Sequence, residues 1–115
     1  MNRMADGASY GRVFKKAQRS KDKLFTVLYR SNELQHARLG LAIAKKNCKL
    51  ASDRNRLKRI VRESFRKNQD KLAGVDIVVL NQSGTHKANN KALFDSLAAH
   101  WRRCRDKDAA RQGTS

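Results

Sequence analysis

Between Arg54 and Lys67 the apolar residues Leu57, Ile60, Val61 and Phe65 recur at helical spacing inside an otherwise cationic run. At 100° per residue, these four and Ser64 span roughly 140° of arc, while Asn55, Arg59, Arg62 and Arg66 lie roughly opposite. The pattern predicts a helix that packs one face on a core and holds a row of cations away from it. Ser52 and Asp53 are good N-cap residues, so the helix is expected to begin there.

Other segments follow other periods. Lys23-Leu-Phe-Thr-Val-Leu-Tyr-Arg30 is rich in β-branched and aromatic residues and predicts a strand, with Phe25, Val27 and Tyr29 on one face. Over 38–44, large Leu39, Leu41 and Ile43 alternate with small Gly40, Ala42 and Ala44. That pattern predicts a strand with one bulky face and one bare face, open to close approach by a ligand or another backbone. The apolar run Val75 to Leu80 predicts a strand covered on both sides. Helices are expected over 9–18, carrying Tyr10, Val13 and Phe14, and over 88–104, where Leu93, Phe94, Leu97, Ala98 and Trp101 share a side. Residues 1–8 and 106–115 are expected to be disordered ends around one domain spanning 9–105. The order α-β-β-α-β-α predicts an α+β fold, an α/β sandwich with helices packed on a small central sheet.

Charge narrows the function. The 115 residues include 27 Lys and Arg against 10 acids, a net charge of +17. Self-repulsion of that size is unfavourable in a compact monomer and is relieved by a polyanion. Seven of the cations lie between Arg54 and Lys67 with Glu63 as the one acid. A merely solvated helix face mixes signs, so this stripe points to phosphates. From Asn55 to Arg66 it runs roughly 16 Å, enough for several successive phosphates. No stretch approaches 18 apolar residues, which makes an anionic membrane the weaker partner. Cys48 and Cys104 form no C-x-x-C pair and the three histidines are scattered, so a structural zinc site is not expected. A basic, thiol-reduced, cytoplasmic protein fits this composition.

No nucleophile motif, P-loop or H-E-x-x-H occurs, and the acids are well separated along the chain. Any chemistry is therefore expected to belong to a partner, with no catalytic residue and no metal ligand assigned here. The aromatics admit two readings. Tyr10, Phe14 and Tyr29, with Val27 beside Tyr29 on its strand face, build either the core or a stacking platform for unpaired bases flanked by cations.

The run Ala51-x-x-Arg54-Asn55-Arg56-Leu57-Lys58-Arg59-x-Val61-Arg62 resembles the signature of the bacterial ribonuclease P protein component. So do Gly40-Leu-Ala-Ile-Ala-Lys45-Lys46-Asn47 before it and Arg62-Glu-Ser-Phe-Arg66, Asp76-Ile-Val-Val and Leu97-Ala-Ala-His-Trp101-Arg-Arg after it. The likeness covers about residues 10–105. It implies a left-handed β-α-β crossover, although right-handed crossovers are the general rule. It also implies a monomeric protein in a 1:1 ribonucleoprotein that removes the 5′ leader of precursor tRNA. In such a particle catalysis is carried out by the RNA subunit with Mg2+. On this resemblance Arg54, Asn55, Arg56, Lys58, Arg59 and Arg62 face RNA, with Lys45 and Lys46 nearby, and Arg66 joins them from the cationic stripe. Tyr10, Phe14, Val27 and Tyr29 become leader-cleft candidates, Tyr10 standing where the family usually has Phe. The alternative is a ribosomal or nucleoid protein that binds nucleic acid without turnover.

Overall fold

The computed structural model describes residues 17–32 and 35–114, with side chains described as far as Arg105. Four strands form one sheet: β1 (Gln18–Lys21), β2 (Phe25–Ser31), β3 (Arg38–Ala42) and β4 (Val75–Asn81), in the spatial order β1-β2-β4-β3. The first three strands in that order are antiparallel, with Gln18 opposite Tyr29 and Val27 opposite Val79. β3 runs parallel to β4, with Leu39 opposite Ile77. Two helices, α1 (Ala51–Asn68) and α2 (Asn90–Thr114), complete the α+β fold. A β3-α1-β4 unit therefore joins two neighbouring parallel strands.

Alternation along the strands sorts two faces. Phe25, Val27, Tyr29, Leu39, Ile77 and Val79 are buried together with Leu57, Ile60, Val61 and Phe65 of α1 and Leu93, Leu97 and Trp101 of α2. Phe65 meets Trp101 edge-on, with ring centroids 6.2 Å apart and planes at 77°. Such a pair adds about 0.5–1.5 kcal/mol beyond its buried area. On the opposite face Leu28 and Val78 form a smaller cluster ringed by Ala17, Ala42 and Leu80.

Three expectations change here. β1 replaces the end of the helix expected over 9–18, because Gln18 already lies in a strand; residues 9–16 fall outside the described residues. Gln-Arg-Ser-Lys has no apolar alternation to reveal it, and its one buried side chain is Ser20. Edge strands tolerate such polarity because only one side is paired. At α1 the helix begins at Ala51 and not at Ser52 or Asp53; Leu50 occupies the N-cap with no side-chain cap. Asp53 then sits in the first turn, where a negative charge suits the helix dipole. The last helix continues from Asn90 through Thr114, across the segment expected to be a tail. Residues 106–114 carry several good helix formers, among them two Ala, Lys, Arg and Gln.

Candidate nucleic-acid interface

α1 is the element that builds the site. Its stripe of Leu57, Ile60, Val61, Ser64 and Phe65 is buried. That docking turns Asn55, Arg59, Arg62 and Arg66 outward, where with Glu63 they line one shallow depression of about 370 Å³. Arg59 and Arg66 are exposed and Arg62 is half-buried. Arg62 Nε is buried with no acceptor among the described residues. A buried donor left unsatisfied is costly, and a phosphate oxygen drawn to this guanidinium offsets that cost.

Glu63 tempers the cations without cancelling them. Arg66 Nη2 donates to Glu63 Oε1 at 2.8 Å, and Lys67 Nζ lies 3.7 Å from the same oxygen. The Arg66 hydrogen bond, reinforced by the Arg66 and Lys67 charges, holds the Glu63 carboxyl below its ordinary value. Exposed pairs of this kind contribute little and yield readily to a stronger anion.

Two of the signature arginines have other work. Arg54 Nη1 donates to the carbonyls of Cys48 at 3.0 Å and Lys49 at 2.8 Å, fastening the chain that leads into α1. Arg56 Nη2 donates to His86 O at 2.7 Å and Ala88 O at 3.3 Å, while its Nη1 donates to Asn90 Oδ1 at 2.7 Å. Both guanidiniums are thus engaged within the fold, and only Asn55, Arg59, Arg62 and Arg66 of the expected contacts converge. Lys58 is half-buried on the flank of the helix and does not line that depression.

Lys45 and Lys46 lie exposed in a short 3-10 turn, Lys45–Asn47, at the carboxyl end of β3. Asn81 fixes the turn: its Oδ1 accepts from Ala44 N at 2.8 Å and its carbonyl accepts from Asn47 Nδ2 at 3.1 Å. Lys46 lines a second depression, of about 400 Å³, with Lys49, Leu50, Asp53, Gly84 and Lys87 among its neighbours. Lys49 and Lys87 escaped the sequence reading because they belong to different segments and share no helical face. Leu50, 64% exposed, is the one large apolar side chain on the described surface.

Val27 and Tyr29 correct the expected leader cleft. They are 0% and 2% exposed, packed between the sheet and the two helices, so neither ring nor side chain is offered to a base. Period-2 alternation rightly puts them on one face, and the helices cover that face. Tyr10 and Phe14 lie outside the described residues.

Among the described residues no three His, Cys, Asp or Glu side chains gather as metal ligands. None of their helices is long and apolar enough to cross a membrane. Asp76, in the Asp-Ile-Val-Val run, is a structural anchor: it accepts from Arg38 at 2.8 and 2.6 Å and from Asn32 Nδ2 at 2.8 Å.

Residues 1–105 match the sequence model of the ribonuclease P family. The chain belongs to the ribonuclease P protein family. It is 51% identical over 94 residues to the ribonuclease P protein component of Photorhabdus laumondii, covering 81% of this chain and 79% of that one. It is 44% identical over 99 residues to that of Nitrosococcus oceani, covering 86% and 83%. The fold is similar to the Staphylococcus aureus RNase P protein, with a TM-score of 0.79 and 28% identity over 86% of this chain and 91% of that one. It is also similar to the Thermotoga maritima RNase P protein, with a TM-score of 0.78 and 28% identity over 90% and 97%.

Proposed function

We propose that this chain is the non-catalytic protein subunit of a ribonuclease P ribonucleoprotein, which docks on the catalytic RNA and promotes removal of the 5′ leader from precursor tRNA. The observation that carries the reading is the convergence of Asn55, Arg59, Arg62 and Arg66 on the outward face of a helix whose other face is sealed into the core. Family membership supplies the identity of the polyanion. The protein's part is electrostatic and positional: its cations offset repulsion between the phosphates of two RNAs and fix how they lie together. In this reading Mg2+ belongs to the RNA subunit, and no protein residue is assigned to it. Leader capture rests on Tyr10 and Phe14 with the sheet, Val27 and Tyr29 being withdrawn from it.

The test combines the protein with a bacterial ribonuclease P RNA and precursor tRNA at low magnesium. Stimulated 5′ maturation over RNA alone is the expected result. Lack of stimulation sinks the proposal and favours a ribosomal or nucleoid protein. Cleavage by the protein without RNA points instead to a self-sufficient nuclease.

A further inference from the structure

A third depression, also cationic, lies at the seam between the end of α1 and α2. Asn68, Lys71, Leu72, Ala98, Trp101, Arg102 and Arg105 enclose about 300 Å³. Among the described residues its lining differs from that of the first depression in one respect that matters: it includes Lys71, Arg102 and Arg105 but no carboxylate, whereas Glu63 stands among Arg59, Arg62 and Arg66. Lys71 and Arg102 are exposed, and neither makes a hydrogen bond or ion pair among the described residues. Leu72 and Trp101 are buried to 1% and 3% exposure and give the groove a fixed floor. Trp101 is held by its Nε1 donating to Ser64 Oγ at 2.8 Å, and Asn68 by its Nδ2 donating to Ser64 O at 2.8 Å. The cations are therefore mounted on rigid elements, and a ligand gains from them without ordering the backbone first.

We propose that this groove is a second phosphate-binding surface for the catalytic RNA, so that the protein engages two separate segments of it. The inference rests on the reading of the chain as an RNA-docking subunit. Position selects the catalytic RNA as the occupant. Asn68 lies roughly 160° around α1 from Arg66, so one straight strand on the outward depression does not also fill the groove. Both surfaces nevertheless belong to the α1–α2 layer, and the sheet separates that layer from the face of Leu28 and Val78. An RNA already seated on α1 thus reaches the groove by passing around the helix end, where Lys67 is exposed between the two surfaces. Lys71 and Arg102 suit phosphodiester oxygens, since both side chains are hydrogen-bond donors only.

The experiment measures binding of the full chain to a bacterial ribonuclease P RNA across a salt series, for wild type, Lys71→Ala/Arg102→Ala and Arg59→Ala/Arg62→Ala. A Lys71→Gln/Arg102→Gln variant keeps the apolar stems and serves if the alanine pair lowers the melting temperature. Loss of two phosphate contacts is expected to weaken binding about tenfold at moderate salt. It should also make the log–log salt slope shallower by about 1.4–1.8, at about 0.7–0.9 per phosphate. Wild-type affinity and slope in the Lys71/Arg102 variants, with loss in the Arg59/Arg62 variant, would overturn the second surface and leave the docking reading intact. Failure of the wild-type protein to bind the RNA defeats both. A defect seen only when precursor tRNA is present assigns the groove to substrate and also overturns the proposal.

Discussion

Arg56 Nη1 donates to Asn90 Oδ1 across 2.7 Å, so the most basic helix of the chain is bolted to the first residue of α2. The other arm of the same guanidinium reaches the carbonyls of His86 and Ala88. An arginine inside the family signature is here a strut. It holds α1 in the orientation that turns Arg59 and Arg62 outward.

Arg56→Ala should therefore act on stability first. Loss of its charged hydrogen bonds, part of them exposed, is expected to lower unfolding free energy by about 1–2 kcal/mol. Urea denaturation reads this as a fall in the midpoint at constant m-value. Arg56→Lys should recover little, because one ammonium on a flexible stem does not span acceptors on two sides as a planar fork does. Full recovery by lysine would mean that charge alone, and not the fork, holds the helix.

Ser64 and Trp101 form the second joint between the helices. Both are buried, and the indole N–H donates to Ser64 Oγ at 2.8 Å. Ser64→Ala leaves that donor without an acceptor inside the core, at a cost of about 1–3 kcal/mol. The same variant should loosen the floor of the groove beside Asn68. Thermal unfolding checks the first statement, and a neutral Ser64→Ala would show that water or a rearranged neighbour replaces the hydroxyl.

A buried polar chain ties the β1–β2 hairpin to α2 and makes stability depend on pH. Arg103 Nη1 donates to Ser20 Oγ at 3.0 Å, and Ser20 Oγ lies 2.7 Å from Nδ1 of the fully buried His100. His100 Nε2 lies 3.1 Å from Asp22 Oδ2, which also accepts from Ser96 Oγ at 2.5 Å.

Burial, with Arg103 nearby, pulls His100 below its ordinary value in spite of the Asp22 carboxylate. For Asp22 burial acts upward, but hydrogen bonds from Ser96 and from the backbone of Phe25 and Leu24, with His100 beside them, outweigh it and leave the carboxyl lowered. Both shifts have one sign. As pH falls through the ordinary histidine value of about 6.5, the unfolded chain takes up a proton that folded His100 refuses, and stability is lost. Further acid extends the loss through the carboxylate range, down to the lowered value of Asp22. Denaturation midpoints should therefore fall between pH 8 and pH 5. His100→Gln should flatten the upper part of that dependence, whatever it does to absolute stability. An unchanged slope in the variant would place the titrating group elsewhere.

The sequence displays most of what the apolar pattern controls. All five residues of the α1 stripe are buried, and the strands over Phe25–Ser31, Arg38–Ala42 and Val75–Asn81 lie where β-branched runs and alternation put them. β1 escaped because a four-residue edge strand of Gln, Arg, Ser and Lys leaves no hydrophobic trace. Val27 and Tyr29 lie in the core for a reason that alternation does not carry. Alternation states which residues share a face but not which face the helices cover, and that is set by how the β3-α1-β4 connection crosses the sheet. Arg54 and Arg56 mark the limit for the interface itself. Their helical positions resemble those of solvent-facing cations, and nothing local reveals that Arg56 finds acceptors at His86, Ala88 and Asn90, about thirty residues on. Position on the helix wheel singled out Asn55, Arg59, Arg62 and Arg66, which do converge.

In the proposed docking mode RNA lies on this outward quartet and Arg56 only holds it in place. The salt dependence of binding to a bacterial ribonuclease P RNA tests that division most directly, with wild type compared against Arg59→Ala/Arg62→Ala and Arg56→Ala under conditions where all three are folded. The Arg59/Arg62 variant should lose about 1.4–1.8 from the log–log slope, at about 0.7–0.9 for each phosphate released, while Arg56→Ala keeps the wild-type slope. A wild-type slope in the Arg59/Arg62 variant, or an equal loss in Arg56→Ala, would overturn this division between docking residues and strut.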